Sequence, residues 1–298
     1  MSWAARPFTF PSADGLMLAG ERAGERGAQT VILMHGGGQT RHSWRRAVRE
    51  LAARGYDVIN LDARGHGDSQ WAPAPAQYGL DQLAQDLMQI VEGLPTPPVL
   101  VGASMGGLTA LHAIGRHPRR RVAAALVLVD VVPRVEIAGA RRVLDFMSAH
   151  PDGFGSIEEA AAAVAAYNPH RPRPASSEGL MKNLRRDDHG RLRWHWDPQF
   201  VSEVLSEGMV DTDDMLAACR HFKEPALLVR GMHSDILSEA GIDELRDVLP
   251  QLQVADVSGA GHMIAGDRND AFNAAVLAFL SDCPSLAPRQ QEPHEQHG

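Results

Sequence analysis

Cysteine is nearly missing from this chain: Cys219 and Cys283 are its only two among 298 residues. Two thiols cannot build a disulfide framework and their spacing matches no metal site, so free thiols in a reducing compartment are expected. No apolar run approaches the roughly 20 residues needed to span a bilayer, which excludes a membrane-crossing helix. The opening MSWAARPFTFPSADG lacks the unbroken apolar stretch of a secretory signal. A cytoplasmic location is therefore expected. A basic excess is also lacking: the formal charge is −8, opposite to what nucleic-acid phosphates require. The arginines at 45, 46, 49 and 119–121 read as solvated helix faces. The histidines are scattered without ligand spacing, so no metal and no cofactor is expected. No internal repeat is present, and nothing in the sequence sets an oligomeric state.

What the chain does have is 44% hydrophobic and 22% charged residues, the balance of a globular protein. Short apolar runs at 16–24, 30–35, 57–62, 98–103, 124–130, 226–231 and 252–258 read as strands. Those at 31–34, 99–101 and 125–129 are apolar at nearly every position, as strands covered on both faces must be. Helical stripes lie between them. Trp44, Val48, Leu51 and Ala52 share a face, with Ser43 as the expected cap and Gly55 as the stop. Leu80 to Val91, Met105 to Ile114 and Phe272 to Phe279 repeat in the same way. Strands alternating with helices predict an α/β fold: a mostly parallel, doubly wound sheet with helices on both faces. The alternation breaks over 133–222, where helices are predicted at 138–149 and 157–167, the second with a Ser156/Glu159 capping box. The expected organisation is a core in two parts, 1–132 and 223–281, a helical cap inserted at 133–222, and a disordered tail at 282–298.

Three short loops after strand candidates carry the chemistry. Gly102-Ala-Ser104-Met-Gly106-Gly107 turns a strand abruptly into a helix, exposing a hydroxyl at a helix N-terminus where developing negative charge is favoured. A serine hydroxyl is a weak nucleophile at neutral pH and needs a base. His262, in a glycine-flanked loop after the last strand, suits that role. A carboxylate must hold its imidazole. Asp235, after the strand at 226–231, is the favoured partner by motif position, giving the chain order serine, acid, histidine. Asp130, at the end of the strand at 124–130, competes for the same place; read as the loser, it is a supporting or helix-capping carboxylate.

With HGGG at 35–38, DARGHGDS at 62–69, GASMGG at 102–107, RGMHSD at 230–235 and GAGHM at 259–263, the chain resembles the α/β-hydrolase fold superfamily over about residues 8–281. The resemblance is to the branch with a helical cap, which holds serine esterases, lactonases, cofactor-free haloperoxidase-like enzymes and carbon–carbon bond hydrolases. It implies Ser104 as nucleophile, Asp235 as acid, His262 as base, and an oxyanion hole from the Gly37 and Met105 N–H groups, with Gly38 as a second candidate. Each such donor is worth about 2.7–4 kcal/mol to a developing oxyanion. Dehalogenase and epoxide-hydrolase relatives use an aspartate at the elbow, so Ser104 argues against both chemistries. The implied substrate is a small carboxylic ester or lactone. Perhydrolysis, carbon–carbon cleavage, or a non-catalytic small-molecule binder on the same scaffold are the alternatives.

Other conspicuous residues have plainer readings. His35 and His66 lie inside turns and suit loop-stabilising hydrogen bonds, with Arg64 and Asp68 tying the same loops. Trp71 and Tyr78 precede the helix at 80–92, while Tyr167, Trp194, His195, Trp196 and Phe200 lie in the insertion. Of these, Trp71, Tyr167, Trp194 and Trp196 are carried forward with Gly38 as substrate-pocket candidates, against ordinary packing as the alternative.

Overall fold

The computed structural model describes residues 4–167, 177–207, 211–259, 261–262 and 269–287. Eight strands form one sheet: β1 (Arg6–Pro11), β2 (Met17–Gly24), β3 (Thr30–Met34), β4 (Asp57–Leu61), β5 (Val99–Ala103), β6 (Ala125–Val129), β9 (Ala226–Gly231) and β10 (Leu252–Val257). Their order is β1-β2-β4-β3-β5-β6-β9-β10. The first two strands add on antiparallel, and every pairing from β4 to β10 is parallel. This is the expected α/β sheet, with an N-terminal edge strand, β1, that alternation of apolar residues did not reveal.

The apolar runs divide by parity, as the pleat demands. Ile32, Leu100, Leu126 and Leu128 face one layer, packed on α2 (Leu80–Glu92) and α3 (Met105–Arg116). Val31, Leu33, Val99, Val101, Val127 and Val129 face the other, packed on α1 (Arg45–Ala53) and the last helix, α9 (Asn269–Ser281). Trp44 and Phe272 meet there with ring centroids 5.1 Å apart. Each fully buried aliphatic side chain contributes about 1.5–3 kcal/mol, so a strand loaded on both faces anchors the loop that follows it.

Between β6 and β9 lie α4 (Ile137–Ser148), α5 (Ile157–Tyr167), α6 (Pro198–Glu207), α7 (Thr212–Cys219) and a two-stranded hairpin, β7 (Leu184–Arg186) with β8 (Leu192–Trp194). The helices near 138–149 and 157–167 are as expected; the hairpin is an addition. Ser156 Oγ does accept the Glu159 N–H at 3.2 Å, but Glu159 reaches back one residue further, to Gly155 N at 2.6 Å. At α1 the expected Ser43 cap is replaced. A short 3₁₀ turn, Arg41–Trp44, precedes the helix, and Thr40 caps that turn. The supposed tail also begins inside the fold, since Cys283 and Leu286 are buried against the α9 layer; residues 288–298 lie outside the described set.

From β3 the chain runs outward to β4, and from β5 it runs the other way to β6. The loops after β3 and β5 therefore diverge at the C-terminal edge, where open parallel sheets bind ligands.

Candidate active site

At the end of β5 the backbone enters a conformation that few side chains tolerate: Ser104 has φ 45° and ψ −115°. Neighbouring glycines make the turn sterically feasible. A Cβ on Gly102 would lie 2.4 Å from the Gly106 carbonyl, and one on Gly106 would lie 2.6 Å from the Met34 carbonyl oxygen. Ser104 N–H donates to Val129 O at 3.1 Å, fixing the elbow to β6. The N-terminus of the twelve-residue α3 starts at Met105, directly after the serine.

His262 and Ser104 line one cavity of about 40 Å³. No direct hydrogen bond joins them, the looser spacing common before substrate is bound. His262 Nδ1 donates to Asp130 Oδ2 at 3.0 Å. The structure thus differs from the expectation for Asp235, which instead pairs with Arg142 of α4 at 2.9 Å and is 39% exposed. Two physical features distinguish the carboxylates. Asp130 adopts φ 51° at the tip of β6, which turns its side chain along the strand ends. The turn after β9 then clasps it: Gly231 N–H donates to Oδ1 at 3.1 Å and Ser234 Oγ–H to Oδ2 at 2.7 Å. Asp130 is only 1% exposed, and every charge-carrying oxygen has a donor. Ser234 escaped sequence reasoning, although its place beside Asp235 in RGMHSD was the available signal. Replacing it by alanine removes one of two donors on Oδ2. Ser234→Ala should lower kcat by about 10- to 100-fold, the scale of a hydrogen bond to a charged group, with Thr restoring most of it in ester-hydrolysis assays.

Among the described residues, Gly37 and Met105 N–H groups have no protein acceptor; Gly37 lines the cavity and Met105 directly follows Ser104 at the start of α3. Gly38 cannot serve likewise, because its N–H donates to His66 Nε2 at 3.2 Å. His66 Nδ1 donates to Arg64 O at 3.1 Å, which fixes the neutral tautomer that can accept. His35 repeats the pattern, donating from Nδ1 to Gly36 O and accepting the Ala63 N–H at Nε2. His195, on the residue after β8, accepts the Gly67 N–H at 2.9 Å. Burial pushes all three imidazoles down, His66 to about 3, with its neighbour His35 adding to the effect. The expected loop-stabilising roles of His35 and His66 are what these bonds perform.

The cavity wall is mostly apolar: Val129, Val143, Phe146 and Met147, with Tyr167, Gly38 and Gln39. Of the pocket candidates, Gly38 and Tyr167 line it. Trp194 and Trp196 do not. They stack on each other at 4.9 Å behind the wall, contacting Phe146, and Trp196 Nε1 donates to Met147 O. Trp71 is 41% exposed beneath Arg185, away from the cavity. No group of three or more metal-ligating side chains occurs among the described residues, and no described helix is long and apolar enough to cross a membrane.

The chain as a whole has counterparts among known proteins. Residues 29–268 match the model of the α/β-hydrolase fold family. The chain belongs to that family. It is 29% identical over 260 residues to Esterase Rv0045c of Mycobacterium tuberculosis, covering 85% of this chain and 83% of the relative. Epoxide hydrolase A of the same organism is 25% identical over 312 residues, with 90% and 95% covered. In structure, an α/β hydrolase from Novosphingobium aromaticivorans superposes with a TM-score of 0.79 at 24% identity, covering 94% of this chain and 99% of that one. As an α/β hydrolase the chain is a hydrolase with esterase-like relatives, its sheet the family's and its insertion placed after β6.

Proposed function

We propose that this α/β hydrolase cleaves a small carboxylic ester or lactone through an acyl-enzyme on Ser104, with His262 as base and Asp130 as the acid that holds it. The carrying observation is the Asp130–His262 pair, whose histidine shares a cavity with Ser104 at the sheet's switch point. His262 Nε2 takes the Ser104 proton as Oγ attacks the carbonyl carbon, and Asp130 steadies the imidazolium at Nδ1. The Gly37 and Met105 N–H groups receive the oxyanion, aided by the α3 dipole. Collapse expels the alcohol, protonated by His262; water, deprotonated at the same Nε2, then releases the acid. No step calls for a metal or cofactor.

The apolar wall from α4 and α5 favours a short hydrocarbon or aromatic acyl group, and makes the 133–222 insertion the cap that shapes specificity. An esterase among the relatives supports ester chemistry. Ser104 in place of an elbow aspartate argues against epoxide opening, despite the epoxide-hydrolase relative. A fluorophosphonate probe should label the folded protein, and Ser104→Ala should lose both labelling and hydrolysis of p-nitrophenyl acetate. Unlabelled folded protein, or esterase turnover surviving Ser104→Ala, would sink the mechanism and favour a binding protein.

A further inference from the structure

Two polar side chains of the cavity take no part in the acyl transfer above: Gln39 and Tyr167. Gln39 is fixed in place, its Oε1 accepting the Gly36 N–H at 3.3 Å. That bond settles which end of the amide is oxygen and leaves Nε2 pointing elsewhere. A Cβ on Gly36 would lie 3.3 Å from Ser104 Cβ and 3.5 Å from Gln39 Oε1. The amide therefore sits beside the nucleophile. Among the described residues its Nε2 has no protein acceptor.

Tyr167 presents a second donor from the insertion. Its ring stacks on Phe146 at 4.4 Å, and the Arg142 guanidinium lies 5.2 Å from its centroid. Its hydroxyl has no partner among the described residues, and burial pushes its ionisation up, so it stays an O–H donor. The remaining wall side chains, apart from Ser104 and His262, are apolar. Arg142, which lies over the Tyr167 ring, pairs with Asp235 at 2.9 Å. Among the described residues the cavity lining offers two neutral donors and no Lys or Arg side chain, which suits a neutral acceptor oxygen better than a carboxylate.

We infer that Gln39 Nε2 and Tyr167 Oη form a recognition site for a second carbonyl oxygen on the substrate, so that the preferred substrates are esters of oxo acids. The inference rests on the acyl-transfer reading of Ser104 and names its substrate class. A site built to donate to a substrate oxygen discriminates against the analogue that lacks it, because its half-buried donors are then left unpaired.

The test measures kcat/KM for ethyl acetoacetate and ethyl butanoate on the wild type, Gln39→Met and Tyr167→Phe. Dividing each variant's ratio of the two by the wild-type ratio cancels the esters' intrinsic reactivities. The normalised ratio should fall by about 10- to 100-fold in Gln39→Met and about 5- to 20-fold in Tyr167→Phe, the range for a lost donor to substrate. Ratios unchanged within about twofold in both variants would overturn the inference. So would parallel losses on both esters, which would place Gln39 on the scissile ester itself. A wild-type preference for monoethyl succinate over ethyl acetoacetate would replace the neutral oxygen by an anion and overturn it too. Tyr167→Phe removes only a hydroxyl and carries the test alone if circular dichroism shows Gln39→Met unfolded. Wild-type turnover of neither ester would reject the acyl-transfer reading as well; turnover of ethyl butanoate with flat ratios rejects this inference only.

Discussion

Asp130→Asn should reduce kcat for ester hydrolysis by about 10³- to 10⁴-fold, the scale on which a triad fails when its imidazole is held in the wrong tautomer, with little change in thermal stability. The geometry explains why an isosteric change would be so damaging. Gly231 N–H donates to the Oδ1 position, so the asparagine oxygen belongs there. The amide NH₂ then occupies the Oδ2 position, facing His262 Nδ1 and Ser234 Oγ. The serine hydroxyl can rotate and accept. His262 must also accept, which puts its only proton on Nε2 and leaves nothing there to take the proton from Ser104. Asp235→Asn is the matching control. Its partner Arg142 is 48% exposed and Asp235 is 39% exposed, a setting in which ion pairs contribute about 0–1 kcal/mol. Activity should stay within about threefold of wild type, since nothing joins Asp235 to the histidine. Steady-state assays of both variants with p-nitrophenyl acetate decide the matter. A collapse of kcat in Asp235→Asn with an active Asp130→Asn would reverse the assignment of the acid.

This pair also marks where sequence reading stops. Both strands that end near His262, β6 and β9, are followed by an aspartate. Motif position after the strand at 226–231 favoured Asp235, while chain order fits Asp130 equally, and reach depends on backbone dihedrals that residue types do not encode. Asp130, with its left-handed φ, bonds His262, whereas Asp235 pairs with Arg142. Ser104 was legible because close packing of glycines at 102 and 106 leaves few other reasons for that pattern. The sheet was legible because strands buried on both faces must be apolar throughout. β1 and the β7–β8 hairpin were not: β1 is an edge strand of RPFTFP, and the hairpin strands are three-residue, arginine-bearing segments. In the insertion, aromatic content alone could not separate wall from backing. Phe146 and Tyr167 face the cavity while Trp194 and Trp196 brace them from behind, a difference set by how the hairpin docks on α4.

The same loops should make the fold sensitive to mild acid. His35, His66 and His195 form a buried row, with ring centroids 5.2 Å and 6.0 Å apart along it. Each accepts a backbone N–H through an unprotonated nitrogen: Ala63 onto His35, Gly38 onto His66, Gly67 onto His195. Burial holds all three below the ordinary histidine value, His66 at about 3. Unfolded, each titrates near 6.5. Between those values the unfolded chain binds protons that the folded chain refuses, so stability is intact above about pH 6.5 and falls as the pH drops below it. The loss from His66 is about 1.4 kcal/mol per pH unit, or about 2 kcal/mol by pH 5, with His35 and His195 adding in the same sense. The carboxylate of Asp14, held at about 2 by Arg64, titrates well below this window. Urea unfolding at pH 7.5, 6.5, 5.5 and 5.0 should therefore show stability flat at first and then falling steeply. His66→Gln keeps an acceptor for the Gly38 N–H but cannot take up a proton, so its stability curve should be shallower by about 1.4 kcal/mol per pH unit below pH 6. An unchanged slope would mean that His66 is not held neutral by the fold. Since His66 keeps Gly38 turned away and leaves Gly37 as the free N–H beside Ser104, protonating it would disturb the oxyanion site and the fold together.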